Sequence, residues 1–479
     1  MKKKVLLISS PDSKDSNTLT NLAKMVDFFG LEQVDEPPDN GSSDFAIVVN
    51  QERVGALSNL PPAKAVLVYN CHENSPTFNV VKRNNGTYFH VGNFRHITKQ
   101  LSGISITAMG LRNAYAFSAI NSFDSLIQLD ADPFFIHENR DDCHWFYLTG
   151  DNVVDLDSPI SDDKFKFDII FAEIIPFAMF FQFIRGGVTH NKYANLIIDD
   201  PSLSHRYGFI DYELVAKILV NNDLALTIAF IPWNYRKSQW KTVDLFAANQ
   251  DRLSICVHGC DHTSGEFATT DVLTLNWKVS LARKRMEEHK AKFGLPYDNT
   301  IVFPQGAFSV ESMRVLQHHG FTAAVNSSII ACNYHGGLKI RDLIVPATTH
   351  YGLPLFLRRY PKRFEDFAFD LFMGRPVLIV QHSVDFAEGW DSMLSLISQI
   401  NALEPNLQWM PLGKLVEQIG LNIRATVGDR VAMDGTCGYT LKSYFKTSLR
   451  RHLCDIRDNI VYRNDVMRNF ITKHKKTNW

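Results

Sequence analysis

Apolar and polar positions divide the chain into two stretches with different patterns. Up to about residue 150, short apolar runs (KVLLIS, DFAIVVN, AKAVLVYN) accompany one helical pattern, TLTNLAKMVDFFG, and aromatic-rich segments follow that are typical of further strands. From about 190 to 410, β-rich apolar runs alternate with helical ones. The pattern predicts an α/β fold, with a smaller α/β domain before a larger repeat.

The larger repeat contains seven candidate strands: ANLIID, LALTIAFIP, RLSICVHG, NTIVFPQG, FTAAVNSS, DLIVPATT and PVLIVQHS. Helical patterns lie between them, among them YELVAKILVNN, VLTLNWKVSLARKRMEEHKAKFG and VESMRVLQHHG. The last two close with a glycine in the C′ position. Repeated strand-helix units predict a parallel barrel or a doubly wound sheet, in which chemistry collects where strands end.

Two further segments complete the predicted organisation into 1–150, 151–189, 190–410 and 411–479. The run IIFAEIIPFAMFFQFI, residues 169–184, is shorter than a bilayer span and carries Glu173 and Pro176. It predicts a buried connecting helix and no membrane span, with a helix at the membrane surface as the alternative. The tail from 442 to 479 holds ten Lys or Arg and three Asp, a local charge near +7. It predicts a solvated basic helical extension, with an anionic partner surface as the alternative.

Composition narrows the class of protein. The chain has 479 residues, too many for one ordinary core, and 45% hydrophobic residues, which is close to average soluble usage. Its formal net charge of -1 gives no reason to expect a nucleic-acid partner. Seven scattered cysteines and the lack of a secretory apolar run near the start predict a cytoplasmic setting. The sequence does not indicate an oligomeric state.

Polar residues gather at the predicted carboxyl ends of these strands, as a site at one edge of a sheet requires. In chain order they are Asp199 and Asp200, then His258 and His262, Gln305, Asn326, His350 and His382. A purely structural barrel would scatter such residues between both ends.

The segment VHGCDH places His258 and His262 four residues apart, which brings them together either on a helix or where a turn follows a strand. Two imidazoles and one carboxylate suit zinc or a similar ion. Cys256 and Cys260 alternate with the histidines, but four ligands so close in sequence cannot easily surround one ion. Cys256 is more typical of a small packed side chain.

The segment IIDDP supplies the carboxylates. Successive residues at a strand end point in different directions, so one of Asp199 and Asp200 can bind metal while the other takes a proton. The alternative is that one of them caps the following helix. His382, at the end of LIVQHS, is placed to protonate a leaving amine.

Other candidates surround this set. In FPQGAFS, Gly306 allows a close turn, so that a main-chain N–H near Gln305 can face a developing oxyanion. Trp233 can stack on a sugar ring or fill a loop core, and His350 can line the site. Asp261 can orient a ligand histidine, or lie in an exposed turn.

This ordered set resembles the polysaccharide deacetylase family, the NodB-homology group of carbohydrate esterase family four type. The match covers about residues 190 to 400 and rests on IIDDP, VHGCDH, FPQGAFS and LIVQHS. The resemblance implies a distorted (β/α)7 barrel. It also implies roles: Asp199 as base, His382 as acid, and a metal held by Asp200, His258 and His262. The run IDDPSLSHRYGFIDY looks like a subgroup with an added amino-terminal α/β domain.

The chain departs from the family in the fourth-strand loop. The family usually has an arginine where this chain has Val302, and often a tyrosine where it has Gln305. That arginine pairs with the base in the family. Arg206 and Arg341 are the candidate substitutes.

The function expected from these features is removal of an N-acetyl group from an amino sugar or glycan precursor by a hydrolase that uses a divalent metal, most simply Zn2+. One alternative is a catalytically weak or inactive barrel that binds carbohydrate or a protein partner, because Val302 replaces the arginine. Another is a metal-dependent hydrolase of a different amide or an ester.

Overall fold

The structure is a computed structural model. It describes residues 2–8, 15–37, 45–51, 59–83, 86–94, 96–108, 114–160, 168, 170–186, 192–333, 338–419 and 440–457. The chain forms two compact units. The first comprises Met1–His190, Leu338–Ile344 and Ala368–Gly374, and the second comprises Asn191–Gly337, Val345–Phe367 and Arg375–Trp479.

The first unit contains a mixed sheet in the order β2-β1-β3-β4-β11-β10-β9-β6-β7, with β5 and β8 paired separately. Its elements up to residue 186 are β1 (Lys4–Ile8), α1 (Asp15–Phe28), β2 (Glu32–Val34), β3 (Phe45–Asn50), β4 (Ala65–Tyr69), β5 (Phe78–Arg83), β6 (Tyr88–Val91), β7 (Ser105–Thr107), β8 (Ala114–Ala119), β9 (Asp124–Leu129), β10 (Asp132–Arg140), β11 (Cys143–Leu148) and α2 (Phe171–Arg185). The helices predicted at TLTNLAKMVDFFG and in the apolar run are confirmed as α1 and α2, and most of α2 is buried.

The elements from residue 192 onward are β12 (Tyr193–Asp199), β13 (Arg206–Tyr207), β14 (Ile210–Asp211), α3 (Tyr212–Asn221), β15 (Leu226–Phe230), α4 (Trp240–Ala248), β16 (Leu253–His258), α5 (Val272–Phe293), β17 (Asp298–Val302), α6 (Val310–His318), β18 (Ala323–Asn326), α7 (Ile340–Ile344), β19 (Thr348–His350), β20 (Leu353–Leu357), α8 (Phe364–Phe372), β21 (Val377–His382), α9 (Asp391–Leu403), β22 (Gln408–Trp409), α10 (Leu412–Gln418) and α11 (Leu441–Ile456). The three helices named from the sequence are confirmed as α3, α5 and α6.

The second unit is built on a sheet in which seven strands run parallel in the order β20-β18-β17-β16-β15-β12-β21. The strands are apolar and almost wholly buried, as expected where helices cover a parallel sheet. Arg359, two residues after β20, makes a single parallel bridge to Ile379 of β21. The strand order is that of a β/α barrel. Because the end strands share only this bridge, the sheet is not a fully closed barrel.

The prediction for the sixth strand is wrong. DLIVPATT supplies the end of α7 and part of β19, a short strand antiparallel to β20. The sixth parallel strand is instead β20, LPLFL, which pairs with β18. Pro354 breaks the strand signal there, because proline cannot donate to a ladder. His350 therefore ends an antiparallel strand, and a different side chain follows the sixth parallel one.

Local signals explain how the chain leaves the site-bearing strands. The helix after β12 is capped by Asp211, whose side chain accepts the N–H groups of Glu213 and Leu214. Neither aspartate of IIDDP caps it. Helix α5 ends at Gly294, which is left-handed with φ 72°. Of the predicted basic extension, the described part forms α11, and residues 458–479 lie outside the described residues. In the described ranges, no helix has both the length and the apolarity needed to cross a bilayer.

Candidate metal centre

The carboxyl ends of β12 and β16, which flank β15 in the sheet, bring three potential ligands together. Strand β12 ends at Asp199, so Asp200 is the first residue beyond it, and β16 ends at His258. A turn then returns His262 beside His258. Asp200 Oδ1 lies 3.5 Å from His258 Nε2 and 3.2 Å from His262 Nε2. All three ligand atoms lie within 4.8 Å of one another.

These separations fit one small cation. Two ligands bound at about 2.0–2.1 Å to a tetrahedral ion lie roughly 3.3 Å apart. The two distances from Asp200 Oδ1, 3.2 and 3.5 Å, match that value. Asp200 Oδ1 is buried and accepts no hydrogen bond within the described chain. A buried carboxylate oxygen without a donor is costly unless a ligand occupies it, so the residues present fit a divalent metal.

The imidazole of His258 is oriented for metal binding by its other nitrogen. Nδ1 lies 2.9 Å from the carbonyl oxygen of Val302 on the neighbouring strand. A carbonyl only accepts, so Nδ1 carries a proton and Nε2 is the ring nitrogen that faces Asp200. The backbone of Val302 thus orients the ring of the candidate ligand His258.

The turn that carries His262 is built around a buried carboxylate. Glu266 accepts the backbone N–H groups of Cys260, Asp261 and His262, at 3.0, 3.3 and 3.2 Å. Gly259 has φ 66°, and a Cβ there would overlap Glu266 Oε1. Glycine is required for both reasons.

Asp261 lies in the same buried network. Its carboxylate accepts two hydrogen bonds from Lys278 Nζ, at 2.7 and 2.6 Å, and one from the Thr263 hydroxyl at 2.9 Å. Lys278 also lies 3.6 Å from Glu266 Oε2. Asp261 is thus completely buried and paired with a lysine, so the exposed-turn alternative is wrong. It supports the turn that carries His262.

Asp199 is held by an arginine that the sequence did not single out. Arg358, the first residue after β20, donates Nη1 and Nη2 to the two carboxylate oxygens of Asp199 at 2.5 and 2.7 Å. Both side chains are almost fully buried. Burial works against the charge of Asp199, but Arg358 and then His258 outweigh it and keep the pKa of Asp199 below its ordinary value. Asp199 therefore remains a carboxylate in a dry site.

The two arginines considered as substitutes have other partners. Arg206 pairs with Asp211 at 2.7 Å, and Arg341 pairs with Asp157 at 2.9 Å. Arg358, rather than Arg206 or Arg341, contacts Asp199, because β20 and not DLIVPATT is the sixth parallel strand. Applying the strand-end rule to LPLFLRRY would have found it.

His382 ends β21 and is the register partner of Asp199 on β12. Its side chain is about one-third exposed, and its ring lies parallel to that of Tyr360, with centroids 6.2 Å apart. Asp385 Oδ2 accepts the backbone N–H of His382 at 2.8 Å. His382 is thus fixed at the same edge as Asp199, with one face toward solvent.

The surroundings of the two candidate ligand histidines shift their pKa values in opposite directions. Burial lowers the pKa of His262 to about 4, so its imidazole is neutral at pH 7, as a metal ligand must be. Burial also lowers the pKa of His258, but the charges of Asp199 and Asp200 outweigh it and leave that pKa raised. Burial opposes the charge of Asp200, but the facing imidazoles of His258 and then His262 outweigh it and keep the pKa of Asp200 well below its ordinary value.

The remaining candidates are placed as follows. Gln305 and Gly306 both have positive φ, 60° and 66°, in the tight turn after β17, and Gln305 Oε1 accepts the N–H of Gly265 at 3.1 Å. Trp233 packs against Tyr444 and lies beneath the guanidinium of Arg285. These contacts are those of an indole packed in a loop core, the second of the two roles expected for Trp233.

His350 and the two cysteines have structural surroundings. His350 Nε2 lies 3.1 Å from the carbonyl oxygen of Ile329. Cys256 packs in the hydrophobic core of the second unit. Burial raises the pKa of the Cys260 thiol far above its ordinary value. The ligand cluster found in the described residues contains no cysteine.

Comparison with solved structures identifies the fold. A carbohydrate deacetylase, Agd3, superimposes with a TM-score of 0.52 over 87% of this chain and 87% of its own, at 11% sequence identity. BA3943, a CE4 family pseudoenzyme from Bacillus anthracis, gives a TM-score of 0.31 at 10% identity over 48% of this chain and 67% of its own. The Xyl-CE4 domain of a multidomain xylanase from the hindgut metagenome of Trinervitermes trinervoides gives 0.30 at 12% identity, over 48% and 92%. No protein-family model matches the sequence, and no curated protein matches it significantly.

The chain therefore has the fold of a carbohydrate deacetylase. An alignment over 87% of the chain must include much of the first unit as well as the sheet that bears the candidate site. The resemblance predicted from the sequence, including the added amino-terminal α/β part, is confirmed at the level of the fold.

Proposed function

We propose that this protein is a metal-dependent hydrolase that removes the acetyl group from an N-acetylated sugar, free or in a glycan precursor. The observation that carries the proposal is the convergence of Asp200, His258 and His262 beside a buried Asp199 that is held as a carboxylate. A divalent ion bound by those three residues would supply Lewis-acid polarisation of the acyl oxygen and increase the acidity of water, as Zn2+ does in hydrolases.

Two residues beside the three candidate ligands carry out the two proton transfers, Asp199 as base and His382 as acid. Asp199 takes a proton from the attacking water, since it is charged and adjacent in sequence to the ligand Asp200. Its bidentate contact with Arg358 fixes the carboxylate plane. His382 lies on the neighbouring strand at the same level and reaches solvent, so it delivers a proton to the departing amine.

Backbone geometry supports the oxyanion. In the left-handed turn at Gln305 and Gly306, the N–H groups of Gly306 and Ala307 donate to the carbonyls of Phe303 and Pro304, so the N–H of Gln305 is the donor proposed for the oxyanion. A donor in that turn stabilises charge that develops on the acyl oxygen. The proposal retains two expectations from the sequence, a cytoplasmic setting and Zn2+ rather than a similar ion. It assigns no role to the first unit.

The alternative of an inactive barrel rested on Val302 in place of the family's arginine. Arg358 supplies the missing cation to Asp199 from another strand, so that motive is removed. Hydrolysis of another amide or an ester uses the same residues, and the substrate panel below separates it.

The experiment measures acetate release from N-acetylated sugars, O-acetylated sugars and simple acetamides. We expect turnover of N-acetyl sugars that a chelator abolishes and Zn2+ restores, and loss of turnover in Asp199→Asn with metal content retained. Full turnover in Asp199→Asn, or stoichiometric metal without turnover of any substrate in the panel, would contradict the proposal.

A further inference from the structure

The two ligand histidines are held in different ways. The ring of His258 is oriented by a hydrogen bond between Nδ1 and the Val302 carbonyl. The Nδ1 atom of His262 is buried, and no group in the described chain bonds to it. Within the described residues, no hydrogen bond at Nδ1 orients the His262 imidazole as one does for His258, so its position depends more on the backbone that carries it.

That backbone is left-handed at His262, with φ 55°. Such a conformation is uncommon for a residue other than glycine and needs support from its surroundings. Two buried side chains hold the polar groups of the residue. Glu266 accepts its N–H at 3.2 Å, and Arg451 donates Nη2 to its carbonyl oxygen at 2.9 Å.

Arg451 comes from the carboxyl-terminal helix α11, 189 residues further along the chain. Two other contacts hold that helix against the same region. Tyr444 packs on Trp233, with ring centroids 5.4 Å apart, and Asp455 pairs with Lys237 at 2.6 Å. The backbone N–H of Trp233 in turn donates to the carbonyl of Cys260 at 3.0 Å. Helix α11 therefore contacts His262 directly through Arg451. Through Tyr444 it also contacts Trp233, which is hydrogen-bonded to Cys260 in the same turn.

The placement of Arg451 is hard to explain by stability alone. Its side chain is 6% exposed, its Nε is buried without a partner, and among the described residues no carboxylate pairs with it. Burying a guanidinium without an anion is unfavourable, so an apolar side chain of similar length should be tolerated at this position.

We propose that Arg451 is a positioning residue of the metal site, which makes α11 part of the hydrolytic unit. Its hydrogen bond holds the His262 carbonyl and, with Glu266, fixes the left-handed turn that aims Nε2 at the metal. This inference rests on the proposed metal-dependent function. It adds that the affinity for metal depends on a residue far outside the stretch that carries the ligands.

The test compares Arg451→Met, Arg451→Lys and Arg450→Met in the full chain. Arg450 is the neighbouring residue on α11 and forms no hydrogen bond or ion pair among the described residues, so it is the matched control. Zn2+ affinity is measured by chelator competition, and the Tm of the metal-free protein is measured in parallel. We expect Arg451→Met to weaken Zn2+ binding about 10–100-fold, as loss of a ligand's supporting partner does, with little change in metal-free Tm.

Arg451→Lys keeps a cationic donor and should recover part of the affinity, while Arg450→Met should match the wild type. Tyr444→Ala loosens the helix without removing the donor, and should lower Tm more than affinity. Equal Zn2+ affinity in Arg451→Met and Arg450→Met would overturn the inference while leaving the proposed function intact. So would a loss that Tyr444→Ala reproduces and Arg451→Lys does not relieve. A wild-type protein that binds no metal would overturn both.

Discussion

The carboxyl ends of the parallel strands carry polar side chains in both units, but the two edges use them differently. In the first unit, Asn70 Nδ2 donates to Asn50 Oδ1 at 3.3 Å, and Gln51 Oε1 accepts the N–H of His72 at 3.1 Å. In the second, Asp200 Oδ1 accepts no hydrogen bond and faces two imidazoles. Parallel topology places polar residues at one edge in both cases. Only where they leave ligand atoms aimed at a common point does the edge become a candidate metal site.

The strongest test of this difference is removal of a ligand. Asp200→Ala deletes one of the three donors and leaves two histidines, so metal content after gel filtration should fall from one ion per chain to background. Asn50→Ala, at the edge of the first unit, should retain the wild-type content. Elemental analysis of the purified proteins measures both. Stoichiometric metal in Asp200→Ala would show that the ligand cluster is not the binding site.

The ion pair behind the ligands should dominate stability at this edge. Arg358→Met leaves the Asp199 carboxylate buried without its partner, which should lower the free energy of unfolding by about 3–5 kcal/mol at neutral pH. Arg206→Met is the control, because its ion pair with Asp211 is exposed and worth about 0–1 kcal/mol. Urea denaturation measures both. A loss in Arg358→Met no larger than in the control would be evidence against a desolvated pair.

The pH dependence of that loss has a defined sign. In the wild type the native pKa of Asp199 is lowered, so the stabilisation is present above the unfolded value of about 3.8 and is lost as pH falls through the native pKa. In Arg358→Met the largest lowering influence is removed, so burial, opposed only by the charges of His258 and His382, shifts the native pKa of Asp199 upward and the penalty shrinks as pH falls. The difference between the two proteins should therefore be largest near neutral pH and decrease toward acid.

The sequence predicted the ligand edge because strand ends are a local signal. Apolar runs locate β12 and β16, and parallel strands end at the same edge, so IIDDP and VHGCDH had to approach one another. The glycine in VHGCDH and the register of the sheet then fix the distances. The strand pattern brought the two segments together, and the resemblance to the deacetylase family assigned Asp200 rather than Asp199 as the ligand.

Partners that depend on long-range packing were not predictable in the same way. Arg358 was missed because Pro354 weakens the signal for β20, while the apolar residues of DLIVPATT imitate a strand and end α7 instead. Lys278 lies on α5 and Arg451 on α11, and both side chains contact the turn that carries His262. No local periodicity indicates that a charged residue on a helix is buried. Their roles follow only from the folded geometry.

Two glycines sharpen the comparison further. Gly259 at the metal edge and Gly30 in the first unit both have positive φ, 66° and 69°. A Cβ at Gly30 meets nothing within 4 Å, whereas one at Gly259 overlaps Glu266 Oε1 and lies against Pro304. Gly30→Ala should cost about 1–2 kcal/mol from backbone strain alone. Gly259→Ala should cost about 1–3 kcal/mol more and also weaken metal binding. Equal losses in urea denaturation would mean that the turn adapts without strain.

The smallest effect is expected at the edge of the first unit. Asn50→Ala removes the acceptor of Asn70 Nδ2, a neutral hydrogen bond between two buried amides, so the free energy of unfolding should fall by about 1–2 kcal/mol. Because Asn50 and Asn70 are not part of the ligand cluster and bind no ion in the proposed function, neither metal content nor turnover should change. A fall in turnover with stability held at the expected value would be informative. It would indicate that the first unit contributes to the reaction, and the contrast between a structural edge and a functional edge would have to be abandoned.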